Sequence, residues 1–261
     1  MGAVRAKKHL GQHFLNDAGV AQRIVESLEN PEGLPVLEIG PGTGVLTQFL
    51  IQDRSRPLYL VEVDQESVAY LQATYPSLGQ RLLYEDFLRM DLERFGDGLT
   101  VIGNFPYNIS SQILFKVYET RARIPEVVGM FQKEVAERIA SPPGSKNYGI
   151  LSVLLQAFYR IDYLFTVDRT LFNPPPKVQS GVIRLERLPA SRLDCDAARF
   201  RQVVKQAFNQ RRKTLRNSLR SLIGDRNPAE LPLFQQRPEA LTVESFSALT
   251  NWLFPPNDSP S

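Results

Sequence analysis

The residues best suited to chemistry lie in one short segment, residues 103–108, with the sequence Gly-Asn-Phe-Pro-Tyr-Asn. Asn104 has a side-chain carbonyl oxygen, Pro106 has a main-chain carbonyl beside a ring that fixes φ, and Tyr107 has an aromatic face. Two hydrogen-bond acceptors beside a ring face suit an exocyclic amine, which has two protons to donate. The segment therefore predicts a site for an aminated base such as adenine.

The chemistry that such a site favours is methyl transfer to the amine. Adenine N6 is a weak nucleophile because its lone pair is delocalised into the ring. Acceptors outside the ring plane would favour a more tetrahedral nitrogen, whose lone pair then points at an electrophilic methyl group. No strong base is needed, since the proton becomes acidic only after transfer, and the protein contributes mainly alignment. The alternative interpretation is that residues 103–108 have only a structural role, as a proline-containing turn with a packed tyrosine.

A glycine-rich turn comes earlier, where Gly40 begins the sequence Gly-Pro-Gly-Thr-Gly after an apolar strand predicted at Val36–Ile39. Glycine allows a tight turn and a close approach to a ligand, because it has no Cβ. The G-x-G-x-G spacing differs from the dinucleotide type and favours a nucleoside over a pyrophosphate. Glu62 ends the next strand, where a carboxylate can accept hydrogen bonds from ribose hydroxyls. Asp86 ends a third strand and can accept from an adenine amine, or it is a solvated loop carboxylate.

The elements that position these residues alternate between strands and helices, which predicts a mostly parallel sheet covered on both faces. The predicted strands are residues 36–39, 58–63, 81–84, 99–103, 127–131, 163–167 and 182–185. The predicted helices are residues 45–52, 65–75, 110–118, 133–140, 150–158, 197–208, 213–223 and 243–253. Such sheets bind ligands at the carboxyl ends of their strands.

This pattern predicts an α/β, Rossmann-like catalytic domain over residues 1–187, with an N-terminal helical extension at 1–30. A linker follows at 188–196, and then a small α-helical domain at 197–254 that we expect to bind RNA. The tail at 255–261 is rich in Pro, Ser and Asn and is expected to fray.

Bulk composition is that of an ordinary globular protein, with 43% hydrophobic and 23% charged residues and a net charge of +3. No run approaches the roughly 20 apolar residues that a membrane-spanning helix needs, and no secretory signal is recognisable. Cys195 is the single cysteine, and His9 and His13 lack a ligand cluster, so we expect neither a disulfide nor a metal site. Cytoplasm is the expected compartment.

Taken together, the motifs resemble a known family, the KsgA/RsmA/Dim1 group of ribosomal RNA adenine dimethyltransferases, and most closely its bacterial KsgA/RsmA branch. The resemblance runs from about residue 8 to residue 254, which is nearly the whole chain. The segments that carry it are residues 9–17, 37–44, 103–110, 131–138, 144–149, 172–180 and 210–218.

The resemblance implies S-adenosylmethionine as cofactor and dimethylation of N6 on two adjacent adenosines in the 3′-terminal hairpin of 16S rRNA, within the small ribosomal subunit or its precursor. The cofactor contacts that it implies are His13, Leu15, Gly40, Glu62, Asp86 and Asn104. The target-base residues that it implies are Asn104, Pro106, Tyr107 and Phe172, the last an aromatic that sandwiches the adenine from the other side.

Two positions depart from the family pattern, which usually has Asn where this chain has His13 and Leu where it has Phe105. A main-chain contact at position 13 would survive the change, whereas a side-chain amide contact would not. At position 105 the change puts the shape of the pocket near the base in doubt. Neither departure touches Asn104 or Pro106.

The region 199–226 is strongly basic and predicts a phosphate-binding face, although a solvated helix face is the common alternative. The basic residues within the segment 210–218, or just beyond it, are Arg211, Arg212, Lys213, Arg216 and Arg220. Arg5, Lys7 and Lys8 can extend the basic surface near the active site. Phosphate contacts position an RNA without specifying its sequence.

Other readings remain open at this point. An Erm-type large-subunit rRNA adenine methyltransferase shares the cofactor and adenine motifs, although the match at residues 210–218 argues against it. A DNA adenine methyltransferase is the less favoured interpretation, because such an enzyme usually has a second proline after the Asn or Asp. A hypothesis of another class is that the protein is a ribosome-assembly factor for which methylation is secondary. Such a role can exist beside catalysis. We expect a monomer.

Overall fold

The structure is a computed structural model that describes residues 4–7, 10–30 and 33–255. The chain forms two compact units, Met1–Glu137 with Ile161–Arg187, and Arg138–Arg160 with Leu188–Ser261. The second unit therefore includes residues 138–160 in addition to the predicted linker and helical domain. His9, Lys8 and the tail from residue 256 onward lie outside the described residues. The functions that the sequence assigns to the two domains stay predictions.

Nine strands are present in the described part of the chain. They are β1 Phe14–Leu15, β2 Val36–Ile39, β3 Leu58–Glu62, β4 Leu82–Tyr84, β5 Thr100–Asn104, β6 Glu126–Gln132, β7 Tyr159–Val167, β8 Phe172–Asn173 and β9 Ser180–Arg187. Seven of them form one sheet in the order β4-β3-β2-β5-β6-β9-β7, while β1 and β8 pair separately. The strands β2 to β6 are parallel and β9 runs antiparallel to β6.

The α-helices of the described residues number ten. They are α1 Ala18–Glu26, α2 Thr47–Leu50, α3 Gln65–Thr74, α4 Ser110–Glu119, α5 Lys133–Ala140, α6 Ile150–Gln156, α7 Ala197–Asn209, α8 Leu215–Ser218, α9 Arg220–Ile223 and α10 Val243–Leu253.

The central strands read as continuous apolar runs because both faces of a parallel sheet are covered. All four residues of β2 are buried, and so are six of the seven residues of β6. Strand order reverses between β2 and β5, which are neighbours in the sheet. Connections from these two strands leave in opposite directions, so a crevice opens at their carboxyl ends.

Glu126 fixes the chain that follows α1 to this sheet. Its carboxylate accepts hydrogen bonds from the main-chain amides of Glu29 at 2.9 Å and Asn30 at 2.6 Å. The Asn30 side chain in turn accepts from the Thr100 hydroxyl at 3.0 Å, at the start of β5. Burial raises the pKa of Glu126, which the two amide hydrogen bonds oppose. The end of the N-terminal extension is thereby tied to two strands that position the site.

Several predicted bounds differ from the structure. The helix predicted at 45–52 is regular only over α2, because Gly44, with φ of +81°, still belongs to the turn. The helix predicted at 213–223 is divided into α8 and α9, since Leu219 has φ of −104° and ψ of 11°. Strand β7 begins four residues earlier than predicted, and the two-residue strand β1 was not predicted.

The second unit has its own core of helices and aromatic rings. Helix α7 packs against α6 and α10, and the rings of Phe208 and Phe246 stack with centroids 6.0 Å apart. The residues between Leu188 and α7 pack within this unit, where the Leu188 amide donates to the Phe158 carbonyl at 2.8 Å. The predicted linker is therefore an ordered part of the second unit.

Candidate active site

A cavity of about 310 Å³ opens at the carboxyl edge of the sheet in the first unit. It brings together most of the residues that the sequence singled out, although they are far apart along the chain. The predicted site residues that line it are His13, Gly40, Glu62, Asp86, Asn104, Pro106 and Tyr107. The carboxyl ends of β2, β3, β4 and β5 therefore meet where the sequence predicts a ligand.

Asn104 ends β5 with its side-chain amide held in one orientation. Its Nδ2 donates a hydrogen bond to the main-chain carbonyl of His13 at 3.0 Å. Because an amide side chain has one NH2 group and one oxygen, this bond leaves Oδ1 as an acceptor. The unusual histidine at position 13 leaves this contact intact, since the contact uses the main chain.

Two successive main-chain carbonyls follow Asn104. The carbonyl of Pro106 accepts a hydrogen bond from the Ile109 amide at 3.2 Å, and a carbonyl oxygen has two lone pairs, so one remains. The carbonyl of Phe105 accepts no hydrogen bond from any described residue, while its amide donates to Met130 in β6 at 3.1 Å. This stretch thus has spare acceptor capacity beside Asn104 Oδ1.

Phe105 is turned into the protein interior and is only 1% exposed. Its ring lies 5.0 Å from that of Phe131, edge to face, and an added Cβ at Gly129 would come within 2.3 Å of it. The larger side chain at this position is therefore accommodated by a glycine in β6. Its buried ring supports the loop from below.

Tyr107 is half-buried beside the cavity, and its hydroxyl shares a 2.6 Å hydrogen bond with the hydroxyl of Ser180 at the start of β9. Burial raises the pKa of the Tyr107 phenol, which stays protonated at neutral pH. The His13 ring lies 5.4 Å from the Tyr107 ring, and its Nδ1 donates to the Pro174 carbonyl at 2.7 Å. Ser180 is the last residue of the motif segment 172–180, but its hydrogen bond with Tyr107 could be recognised only from the tertiary structure.

Glu62 holds the ends of two loops together. Its Oε1 accepts from the amides of Val63 and Asp64, both at 2.9 Å, and its Oε2 accepts from the Gly42 amide at 3.1 Å. Burial raises the pKa of Glu62, and these hydrogen bonds oppose the shift. A carboxylate has about four acceptor sites, so one remains on Oε2 for a ligand hydroxyl.

The glycine turn has backbone angles that favour glycine, with φ of +65° at Gly40 and +57° at Gly42. The Phe14 ring covers Gly42 so closely that an added Cβ would lie 2.8 Å from it. Pro106 lies 3.7 Å from the corresponding position on Gly40. The N-terminal segment and the Asn104 loop thus both approach the turn directly.

Asp86 follows β4 and lines the cavity with part of its carboxylate already occupied. Its Oδ1 accepts from the Leu88 amide at 2.9 Å, and its Oδ2 lies 3.7 Å from Arg89 Nε. The remaining acceptor sites are compatible with the predicted contact to an adenine amine.

The N-terminal segment that covers one side of the cavity is anchored by Lys7. Its ammonium group pairs with the Asp64 carboxylate just after β3, and lies 3.7 Å from Glu66. Burial would raise the pKa of Asp64, but hydrogen bonds from Lys7 and Ser67 outweigh it and lower the pKa. Lys7 is therefore engaged in holding this segment, a role that the sequence did not indicate.

Two predicted site residues lie elsewhere. Leu15 and Phe172 face each other across the β1–β8 pair, are 2% and 4% exposed, and belong to the hydrophobic core. Neither lines the cavity. The Phe172 ring packs in the core in this structure, so the aromatic sandwich predicted for it stays a prediction. Leu15 can reach a cofactor only through its main chain.

Glu38 was missed by the sequence reasoning, although it lies in β2 only two residues before the glycine turn. It is 1% exposed and accepts a hydrogen bond from the Thr47 hydroxyl at 2.6 Å. Burial raises the pKa of its carboxyl to about 8, and the nearby Glu62 adds to the shift. At neutral pH the folded protein therefore carries a largely protonated carboxyl beneath the turn.

This carboxyl makes stability depend on pH. Between its ordinary value of 4.5 and about 8, Glu38 is protonated when folded and ionised when unfolded. The folded state then binds more protons, so we expect the free energy of unfolding to fall as pH rises through this window. Glu38→Gln keeps an acceptor for Thr47 but cannot titrate, and its slope should be shallower. Urea unfolding across the window measures both slopes; equal slopes would contradict the assignment.

The basic residues predicted to bind RNA lie on the second unit. Arg212, Lys213, Arg216 and Arg220 are exposed. Arg211 is half-buried, donates to the main-chain carbonyl of Lys146 and lies 3.9 Å from Glu239. It therefore holds the loop at residues 142–149 as well as contributing charge.

Within the residues that the structure describes, no group of three His, Cys, Asp or Glu is placed to hold a metal ion. None of the described helices is both long and apolar enough to span a bilayer.

The hydrogen-bond acceptors of the cavity fit the cofactor that the resemblance implies. Glu62 can hold the ribose hydroxyls and Asp86 the adenine amine, because both retain free acceptor sites at the ends of neighbouring strands. The main chain at Gly40 lies open to the cavity with no side chain between them. A nucleoside with a charged sulfonium chain fits this combination of carboxylates, carbonyls and aromatic faces.

Comparisons with known proteins agree with this geometry. The family model described as "Ribosomal RNA adenine dimethylase" matches residues 3–251. A curated relative from Bacteroides thetaiotaomicron, "Ribosomal RNA small subunit methyltransferase A", is 57% identical over 96% of this chain and 95% of its own. A relative of the same name from Cytophaga hutchinsonii is 55% identical over 97% and 99%.

Solved structures confirm the fold class. A dimethyladenosine transferase from Plasmodium falciparum superposes with a TM-score of 0.76 at 24% identity, covering 91% of this chain and 95% of its own. The 23S rRNA methyltransferase ErmE superposes with a TM-score of 0.66 at 24% identity, covering 90% and 99%. The predicted Rossmann-like methyltransferase fold is thus confirmed, and the chain belongs to the ribosomal RNA adenine dimethylase family.

Proposed function

We propose that this protein transfers methyl groups from S-adenosylmethionine to N6 of two adjacent adenosines in the 3′-terminal hairpin of 16S rRNA. It acts as a cytoplasmic monomer on the small ribosomal subunit or its precursor. The observation that carries the proposal is the hydrogen bond from Asn104 Nδ2 to the His13 carbonyl, which leaves Oδ1 as an acceptor in the cavity. Family membership supports the choice of rRNA as the substrate and of adenine as the target base.

In the mechanism that we propose, the protein acts by alignment. Asn104 Oδ1 and a main-chain carbonyl of the Phe105–Pro106 stretch accept the two amine protons, which favours a tetrahedral nitrogen. The Tyr107 ring, held by Ser180, supports the base. The cofactor supplies the electrophilic methyl, and the glycine turn with Glu62 and Asp86 sets its position. Such positioning accounts for several kcal/mol of a typical barrier, about 7 or more in well-aligned cases.

No strong base is part of this mechanism, since the amine proton becomes acidic only after the methyl has been transferred, and it then passes to water. The Tyr107 phenol, whose pKa is raised, stays neutral and does not serve as a base. The exposed cations Arg212, Lys213, Arg216 and Arg220 of the second unit contact RNA phosphates without reading bases. Recognition of the target adenosines depends on RNA shape and on taking the base out of its stack.

The experiment that tests this function uses separated ribosomal subunits from cells that lack the modification. The protein and labelled S-adenosylmethionine are incubated with each subunit, and the nucleosides are analysed by mass spectrometry. We expect dimethyladenosine in 16S rRNA of the small subunit. Label in the large subunit instead would support the Erm-type alternative, and no dimethyladenosine in either would refute the proposal.

A further inference from the structure

An exposed apolar side chain stands on a short loop beside the target-base site. Val178 is 44% exposed and is one of three large apolar residues in the described chain with such exposure. The others are Val63, which lines the cavity, and Tyr84 at the end of β4. A single exposed valine on a free surface needs no explanation. The position of Val178 relative to Tyr107 does need an explanation, because the loop that carries Val178 is held to active-site residues at both ends.

At its beginning, the loop at residues 174–179 is held by His13. The Nδ1 of His13 donates to the Pro174 carbonyl at 2.7 Å, while the same ring lies 5.4 Å from Tyr107. The main chain of His13 also accepts from Asn104. His13 therefore connects the start of the loop to Asn104 and Tyr107, two of the residues that we assign to the target base.

At its end, the loop is held by Tyr107 and by α5. The Tyr107 hydroxyl bonds to Ser180 at 2.6 Å, and the amide of Lys133 donates to the Gln179 carbonyl at 2.9 Å. The Lys133 ammonium group also lies 3.4 Å from Gln179 Oε1. Pro176 is buried, so the tip is pinned in its middle as well. Lys177 and Val178 are thus presented outward from a fixed base rather than from a loose segment.

The two side chains at the tip have the chemistry of an RNA contact. Lys177 is exposed and forms no ion pair with any described residue, so its charge is available to a phosphate. An apolar side chain beside a base pocket can fill the space that an extruded base leaves, and enzymes that modify a stacked base extrude it first. Unstacking costs free energy, which a plug of this kind offsets in part.

We propose that Lys177 and Val178 form a second RNA-binding element, which grips the target hairpin beside the active site and keeps the adenosine out of its stack. Lys177 binds a backbone phosphate, and Val178 occupies the gap that the extruded adenosine leaves. The inference rests on the proposed function, because it requires an RNA adenosine as substrate. It assigns a role to residues outside the cavity and outside the basic face of the second unit.

The test compares three full-length variants with the wild type on unmethylated small subunits. Val178→Ser should lower kcat at least about ten-fold, equivalent to ~1.4 kcal/mol, with little change in KM for the subunit. Val178→Ile keeps an apolar plug and should restore activity. Lys177→Gln should instead raise KM and reduce the salt dependence of binding by about one charge. Calorimetry should find the same S-adenosylmethionine affinity in all four proteins.

Base extrusion is measured directly with a hairpin carrying 2-aminopurine at the target position, whose fluorescence rises on unstacking. Wild type and Val178→Ile should raise it, whereas Val178→Ser should bind the hairpin without doing so. Wild-type activity and fluorescence in Val178→Ser would overturn the inference while leaving the proposed function intact. If the wild type itself does not methylate small subunits, the proposed function fails first.

Discussion

Asn104→Ala is expected to lower the rate of adenosine methylation by about a hundred- to a thousand-fold, the usual effect of removing one preorganised hydrogen-bonding group. The alanine lacks the oxygen that accepts an amine proton, and it also releases the His13 carbonyl from its 3.0 Å hydrogen bond. Cofactor affinity should fall far less, because Glu62, Asp86 and the glycine turn remain. Single-turnover methylation of small subunits and calorimetry with S-adenosylmethionine measure the two effects separately.

Asn227→Ala is the matched control, since Asn227 is an exposed asparagine on the second unit that lies outside the basic region 199–226. It should methylate at the wild-type rate. The two variants should also bind immature small subunits equally well if the protein has an assembly role beside catalysis. Wild-type methylation by Asn104→Ala would show that the active-site assignment is wrong.

The second large effect concerns Glu62. Glu62→Ala is expected to weaken S-adenosylmethionine binding by at least about a hundred-fold, because it removes a charged acceptor for the ribose hydroxyls. It also leaves the amides of Gly42, Val63 and Asp64 without their acceptor, which loosens the turn and lowers the midpoint of thermal unfolding. Calorimetry and thermal unfolding, each with and without cofactor, provide the measurements.

Glu66→Ala provides a comparison from the same part of the chain. Glu66 is 59% exposed in its side chain and only approaches Lys7 at 3.7 Å, an exposed pairing that contributes little. This variant should bind cofactor as the wild type does. If Glu62→Ala bound cofactor equally well, the cavity would not be the cofactor site.

The two departures from the family pattern have different structural consequences. At position 13 the backbone carbonyl contacts Asn104, so the side chain is free to make a further contact with Pro174. At position 105 the side chain points into the core, where Gly129 leaves room for the larger ring. In both cases the departure preserves the acceptor groups, because those groups belong to Asn104 and to the main chain.

How far the site could be predicted from sequence differs from residue to residue. Gly40, Glu62, Asp86 and Asn104 were placed by a simple rule, since each follows a recognisable strand and parallel strands end at one edge. Phe172 could not be placed in this way. Its direction depends on pairing with Leu15, a contact between segments more than 150 positions apart. The role that we propose for the loop at 174–179 likewise depends on contacts with His13 and Tyr107, which the sequence did not predict.

Sequence alone determined the fold class, the family and the type of chemistry. These depend on local features, namely apolar strand patterns, glycines where φ is positive, and an Asn-Phe-Pro-Tyr segment after a strand. The tertiary structure decided which atoms are free to act. It paired Asn104 Nδ2 with the His13 carbonyl, buried Glu38 enough to keep it protonated, and turned Phe172 into the core. Burial and hydrogen-bond partners come from residues distant in sequence, so no local pattern encodes them.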